Sequence, residues 1–179
     1  MTDVVLIHST GQGDAGWERV VRALGQRGRV AHAVELPSDP ELLAAWVPEP
    51  EATFLEDTGR NLEAAFDPGW IGQDPIEDDA VAAAFLYHDC DDATRTWALS
   101  TRRLFLPLGV YGERIALAPE VPSTYVVAAH DRTIRPEWQR RMARERLSVE
   151  PVELPTGHCP NVSRPDRLAE LLVEVAERA

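Results

Sequence analysis

The chain has 179 residues, a hydrophobic fraction of 44%, a charged fraction of 27% and a formal net charge of -12. This length predicts a single domain, residues 1–179, with a real core, and the composition is ordinary for a soluble globular protein. The negative charge argues against DNA, RNA or an anionic membrane as partners, because a phosphate-rich surface needs a basic one opposite it.

The two cysteines, Cys90 and Cys159, are too few for a dense disulfide framework, so we expect reduced thiols and a cytoplasmic location. A strand already begins at residue 4, and we therefore expect no signal peptide. No apolar run approaches the ~20 residues that a membrane span needs.

The first 37 residues read as a strand, a helix and a second strand. "VVLIHS" is a continuous apolar run, typical of a parallel strand buried on both faces, and "TGQGDAG" is a glycine-rich turn. "WERVVRALGQRG" has helical periodicity and ends at Gly28, and "RVAHAVELP" is the next strand. This order predicts a parallel pair with a right-handed crossover.

The middle of the chain reads as a mainly helical insert. For "PELLAAW", residues 40–46, Pro40 and the capping-box spacing of Ser38 and Glu41 favour a helix. A short helix near 55–66 and two more in "DDAVAAAFLYHDC" and "DDATRTWALSTRRLF" follow. We predict that residues 49–120 form a cap.

The C-terminal part alternates strands and helices: "STYVVAAHD", "PEWQRRMARERL", "VEPVELP" and "RPDRLAELLVEVAERA". The sequence therefore predicts an α/β fold in which the four strands form one mainly parallel sheet, with the helical cap over its carboxyl end.

Candidate site residues follow three of these strands, where open α/β sheets bind their ligands. His158, in "TGHCP", is the candidate general base, and Asp131 is the candidate carboxylate that orients it. The alternatives are that His158 is a solvated or capping loop residue and that Asp131 with Thr133 is an ordinary turn cap.

The loop after the first strand, His8, Ser9, Thr10 and Gly11, could offer amides and hydroxyls to an oxyanion or bind nothing. Metal-ligand residue types occur in "YHDCDD", His130 and Cys159, but without recognised ligand spacing. We therefore expect no metal and no cofactor.

These segments together resemble the α/β-hydrolase superfamily, especially its small capped branch of hydroxynitrile lyases and plant-type esterases. "VVLIHSTGQGDAGWERVVRAL" is similar to the branch's first strand, oxyanion loop and helix, and "LLAAWVPEP", "FLYHDC" and "TWALSTRRL" to segments around its cap. "PSTYVVAAHDRTIRPEWQRRMA" and "ELPTGHCPNVSRPDRLAELL" are the most specific matches. The resemblance implies that Asp131 is the catalytic acid and His158 the general base.

The chain departs from that branch at the nucleophile. It contains no G-x-S-x-G and passes from "VELPSDPE" directly to "LLAAWVPEP", where the family carries the elbow strand and its serine. In the family "LLAAWV" is a parallel strand, but about four residues cannot make the crossover that such a strand needs. Either this segment has become a helix, as we favour, or it pairs differently, for example with a second chain.

Three functions are consistent with the sequence. The first is a small-molecule enzyme in which His158 and Asp131 perform acid/base elimination, isomerisation, cyclisation or lyase chemistry without a covalent step. The second is a hydrolase with a replacement nucleophile, for which the candidates are Ser9, Ser100, Cys90 and Cys159. The third is a non-catalytic binding module. Loss of a central strand would expose apolar surface, so we also expect a homodimer.

Overall fold

The computed structural model describes residues 3–7, 12–35, 62–103 and 122–178. The strands are β1 (Val4–Ile7), β2 (Ala31–Val34), β3 (Val126–Ala128) and β4 (Val152–Leu154). The helices are α1 (Glu18–Gln26), α2 (Leu62–Ala65), α3 (Asp79–Phe85), α4 (Asp92–Ser100), α5 (Pro136–Leu147), α6 (Pro160–Ser163) and α7 (Pro165–Arg178), and a 3₁₀ turn, Asp14–Trp17, precedes α1.

The predicted N-terminal strand–helix–strand unit is confirmed. β1 and β2 pair in parallel, in a register that runs from Val4 with Ala31 to Ile7 with Val34. Gly28 lies just beyond α1 with a φ of +71°, the left-handed conformation that ends many helices and that glycine adopts without strain. The chain therefore turns sharply from α1 into β2.

The C-terminal unit has the same construction. β3 and β4 pair in parallel, with Val126 opposite Val152 and Ala128 opposite Leu154. The connection between them, α5, begins at Pro136 as predicted, because proline at a first helical position lacks only an N–H that would have no intrahelical acceptor.

The prediction of one continuous sheet is wrong for the part of the chain that the structure describes. The strands there form two separate parallel ladders, β1–β2 and β3–β4. A sheet is continuous only where each strand has a hydrogen-bonded neighbour about 4.8 Å away. Among the described residues, no strand lies hydrogen-bonded between the two ladders.

One hydrophobic core nevertheless unites the two ladders. It contains side chains from β1, α1, β4 and α7: Leu6, Val20, Ala23, Leu24, Leu154, Leu168, Ala169 and Leu171. Arg27 and Arg29, at the end of α1, form ion pairs of 3.1 and 3.0 Å with Glu170 and Glu177 of α7. α1 and α7 thus hold the ladders together across one face.

The other face of the first ladder departs from the prediction that "VVLIHS" is buried on both sides. Val5 and Ile7 are 60% and 59% exposed, and Val34 is 38% exposed, whereas Leu6 is buried. The reason is that α1 and α7 both pack on the Leu6 side.

The insert supplies α2, α3 and α4. Asp78 and Asp91 cap α3 and α4 by accepting hydrogen bonds from backbone N–H groups of the first turn. A second core joins this part of the insert to the start of α6; it contains Ala82, Tyr87, Cys90, Ala98, Cys159 and Val162. The helix-or-strand alternative for residues 40–46 lies outside the described residues. None of the helices in the described part of the chain is long and apolar enough to cross a membrane.

Candidate active site

The ends of β3 and β4 bring two of the predicted site residues together. Beyond the ladder, the backbone N–H of His130 donates to the carbonyl of Thr156 at 2.9 Å. Asp131 and His158 follow these two residues, one and two positions further on. Parallel pairing of the strand ends therefore sets the two side chains side by side.

His158 and Asp131 form a direct hydrogen bond. The Nδ1 atom of His158 lies 2.9 Å from the Oδ2 atom of Asp131. Because a carboxylate only accepts, Nδ1 carries the proton and Nε2 is left with a lone pair. The Asp131 side chain is 3% exposed and that of His158 is 29% exposed, so the pair has a buried acid and an accessible imidazole.

The carboxylate of Asp131 accepts hydrogen bonds on both oxygens. Oδ1 accepts from the backbone N–H groups of Thr133 at 2.7 Å and Ile134 at 3.2 Å. Oδ2 accepts from Nε2 of Gln139 at 2.8 Å as well as from His158. Asp131 therefore makes the predicted turn contact through Oδ1 and the contact with His158 through Oδ2.

The loop that carries His158 is attached to the turn between α3 and α4. The backbone N–H of Gly157 donates to Oδ2 of Asp89 at 2.7 Å. A Cβ atom at position 157 would lie 2.6 Å from Oδ1 of Asp89 and 2.8 Å from Nε2 of His88, so any other residue would have to displace these two side chains. Burial lowers the pKa of His88, whose Nε2 donates to the carbonyl of His130 at 3.0 Å.

The predicted oxyanion loop, His8, Ser9, Thr10 and Gly11, lies outside the described residues. The residue after it, Gln12, contacts the histidine loop: its Nε2 donates to Sγ of Cys159 at 3.3 Å, and its Oε1 accepts from Asn161 at 3.2 Å. Nδ2 of Asn161 also donates to the carbonyl of Gly16 at 3.0 Å. Gln12, the first described residue after the predicted oxyanion loop, is thus hydrogen-bonded to the segment that follows His158.

The candidate replacement nucleophiles have unfavourable surroundings where the structure describes them. Cys90 and Cys159 are both buried free thiols. Burial raises the pKa of Cys90 to about 11 and raises that of Cys159 further, which disfavours the reactive thiolate. The hydroxyl of Ser100 donates to the carbonyl of Trp97 in its own helix at 2.7 Å. Ser9 lies outside the described residues.

Among the described residues, no group of three or more histidine, cysteine, aspartate and glutamate side chains is arranged to hold a metal ion. The metal-ligand residue types of "YHDCDD" have other contacts. Asp91 caps α4, and the carbonyl of Cys90 accepts from Arg95 at 2.8 Å.

Sequence reasoning missed four residues that surround the pair: Gln12, Asp89, Gln139 and Gly157. Gly157 carries a sequence signal, because a glycine next to a candidate base indicates close approach of another chain segment. Gln139 has no such signal, because a single glutamine in a helix rich in arginine and glutamate resembles a surface residue.

The family model described as "Alpha/beta hydrolase family" matches residues 39–171, about three quarters of the chain. No curated protein matches the sequence.

Several solved structures share the fold. Polyneuridine aldehyde esterase is 12% identical with a TM-score of 0.74, covering 98% of this chain and 100% of its own. Methylketone synthase I of tomato is 15% identical with a TM-score of 0.72, covering 99% of each chain. A pyrethroid hydrolase from Sphingobium faniae JZ-2 is 19% identical with a TM-score of 0.64, covering 98% of this chain and 97% of its own.

Proposed function

The chain belongs to the alpha/beta hydrolase family, and from that membership we propose that it is a small-molecule enzyme that works without a covalent intermediate. In this proposal His158 is the general acid/base and Asp131 orients it. The reaction class is elimination, isomerisation, cyclisation or lyase chemistry. One observation carries the proposal: a 2.9 Å contact between a buried carboxylate and an accessible imidazole, in a sequence that has no nucleophile elbow.

The proposed proton path follows from the tautomer. Nε2 of His158 takes a proton from an acidic C–H or O–H of the substrate, and the resulting imidazolium is stabilised by Asp131. Nε2 then returns the proton to the product or to the leaving group, so the enzyme ends the cycle in its starting state. Such a step needs a positioned base in a partly desolvated site, and it needs no serine.

Negative charge that develops on a substrate oxygen requires donors. We assign that role to the loop of His8, Ser9, Thr10 and Gly11, whose amides and hydroxyls suit an oxyanion. Support comes from Gln12, which follows this loop directly and is hydrogen-bonded to Cys159, the residue after His158.

The substrate class in this proposal is a small carbonyl compound with an ionisable proton. Support comes from the structural neighbours. A variant of tomato methylketone synthase I, 14% identical with a TM-score of 0.69, is described in complex with beta-ketoheptanoate. A β-keto acid offers a carboxylate and a carbonyl oxygen. Its C–C bond would break with loss of CO₂ to leave an enolate, which the imidazolium form of His158 would protonate on carbon before taking up a proton from water, and no acyl-enzyme forms.

A substrate panel tests the proposal. Purified wild-type protein and His158→Ala are assayed with β-keto acids, hydroxynitriles and aryl esters of similar size, and both are treated with a fluorophosphonate probe. We expect turnover of at least one of the first two classes by wild type, loss of that turnover by roughly 10²-fold or more in His158→Ala, and no stoichiometric adduct.

The two rival functions predict other outcomes. Ester hydrolysis together with an adduct on Ser9 or Ser100 would establish the hydrolase with a replacement nucleophile. No turnover of any class, with ligand binding that is unchanged in His158→Ala, would establish the non-catalytic module.

The remaining parts of the proposal concern the whole chain. We infer a single domain, residues 1–179, with a cap formed by residues 49–120, a homodimer in solution and a cytoplasmic location. The proposed partner is a small organic molecule rather than a nucleic acid or a membrane, and the proposed chemistry requires no cofactor.

A further inference from the structure

Gln139 lies in the first turn of α5, and its side chain touches both strand β3 and the candidate acid. It is 5% exposed. Its Oε1 accepts from the backbone N–H of Ala128 at 3.1 Å. Its Nε2 donates to Oδ2 of Asp131 at 2.8 Å and to the carbonyl of Ile134 at 2.9 Å. Both amide hydrogens are therefore used.

These three contacts allow only one orientation of the amide. A flipped amide would set its NH₂ group against the N–H of Ala128 and its oxygen against Oδ2 of Asp131. Both contacts would be repulsive in a buried site, where an unmatched polar group costs more than in water. The backbone of β3 thus determines that Gln139 presents a donor, and not an acceptor, to Asp131.

Gln139 and His158 both donate hydrogen bonds to the same oxygen of Asp131, Oδ2. Oδ1 of Asp131 is occupied by two backbone N–H groups, which leaves Oδ2 for Gln139 and Nδ1 of His158. A second donor on Oδ2 limits the rotation of the carboxylate and directs the remaining lone pair at His158.

We propose that Gln139 is a positioning residue for the His158–Asp131 pair: it fixes Oδ2 of Asp131 and thereby keeps the proton of His158 on Nδ1. This inference rests on the proposed function where it concerns catalysis. Its statement about the proton of His158 can be tested whether or not the protein is an enzyme.

Two variants test the hydrogen bonds of Gln139 separately from its packing in the core. Gln139→Leu fills the same space with a branched apolar side chain and offers no donor to Asp131. Gln139→Met keeps much of the volume and removes every hydrogen bond. The matched control is Thr94→Val, which changes a side chain that is also buried, accepts from Arg19 and lies in α4.

The measurement is the nitrogen NMR signature of the His158 ring in the full chain, with thermal unfolding recorded in parallel. We expect wild type and Thr94→Val to show the Nδ1–H tautomer with slow exchange of that proton. We expect both Gln139 variants to show mixed tautomers and faster exchange. On a substrate that wild type turns over, kcat should fall by about tenfold in both Gln139 variants while KM stays within a factor of two.

The outcomes are distinguishable. If the tautomer of His158 is unchanged in Gln139→Leu, the positioning role is wrong, and any loss of thermal stability then assigns Gln139 to the core alone. If no substrate is turned over by wild type but the tautomer responds to Gln139, the proposed function fails while the positioning role stands. Gln139→Leu decides the question if Gln139→Met does not fold.

Discussion

Cys159 follows His158 in the chain, but its thiol points into the core and not towards the imidazole's surroundings. It accepts from Gln12, packs in the cluster that contains Tyr87 and Cys90, and is buried. Neighbours on a chain seldom share one direction, and here one residue belongs to the candidate site and the next to the core. Because its thiol points away from His158, Cys159 has no part in the proposed acid/base chemistry.

The burial of both thiols gives a prediction about their reactivity. Because burial raises the pKa of Cys90 to about 11, roughly one molecule in a thousand carries its thiolate at pH 8, and Cys159 carries even less. A thiol reagent at pH 8 should therefore leave native protein unmodified for hours and modify two thiols at once after unfolding. Rapid labelling of Cys159 in native protein would contradict this and would promote the cysteine nucleophile.

At the scale of elements, the histidine loop depends on the turn between α3 and α4. Asp89 accepts a hydrogen bond from the N–H of Gly157, and His88 donates one to the carbonyl of His130. One turn of the insert therefore contacts the loops after both C-terminal strands. The position of His158 therefore depends on two parts of the fold, the β3–β4 ladder and the turn between α3 and α4.

Gly157→Ala tests this contact. The added methyl group must displace the side chains of Asp89 and His88, which can move but then lose their hydrogen bonds. We expect the free energy of unfolding to fall by about 1–3 kcal/mol, measured by urea denaturation.

The matched control is Gly25→Ala. Gly25 lies in α1, and nothing lies within 4 Å of its added Cβ. Alanine there should stabilise the protein by about 0.5–1 kcal/mol, because glycine is the poorer helix former. Equal effects of the two substitutions would show that Gly157 makes no special contact.

The element boundaries show what periodicity and capping can predict. The predicted helix 136–147 has the same bounds as α5, and 164–179 agrees with α7 within one residue at each end, since proline starts both and the apolar repeat is regular. Contact between Asp131 and His158 could also be predicted, because each follows one of two consecutive strands, and such strands usually lie side by side.

Other features could not be predicted, because they depend on contacts between distant segments. Gln139 is polar in a highly charged helix, and only the position of α5 over the end of β3 buries it. All four residues of β1 are apolar, so the sequence does not show which face of the strand is exposed to solvent. The exposure of Val5 and Ile7 could therefore not be distinguished from the burial of Leu6.

At the scale of the whole molecule, the described strands form two parallel ladders that share one core. The face of β1 and β2 opposite α1 and α7 presents Val5, Ile7 and Val34. A two-fold axis would place the same patch of a second copy against this one, and burying apolar surface favours such an arrangement.

We therefore expect light scattering at micromolar concentration to give twice the mass of one chain. Val5→Lys should shift the protein towards monomer, because a charge would be placed in the proposed interface. Ile71→Lys, which changes another exposed apolar residue by the same charge, should leave the dimer intact. A stable wild-type monomer at that concentration would refute the dimer.

The central claim is that His158 acts as general acid/base, that Asp131 orients it, and that the reaction needs no nucleophilic side chain. Its most direct test is kcat for wild type, His158→Ala and Asp131→Asn on one β-keto acid or hydroxynitrile substrate. We predict a loss of roughly 10²-fold or more in His158→Ala and a smaller loss in Asp131→Asn, which spoils the tautomer but leaves the base. The free energy of unfolding of His158→Ala should change little, since the imidazole is partly exposed on a loop. Wild-type turnover that persists in full in His158→Ala would contradict the account.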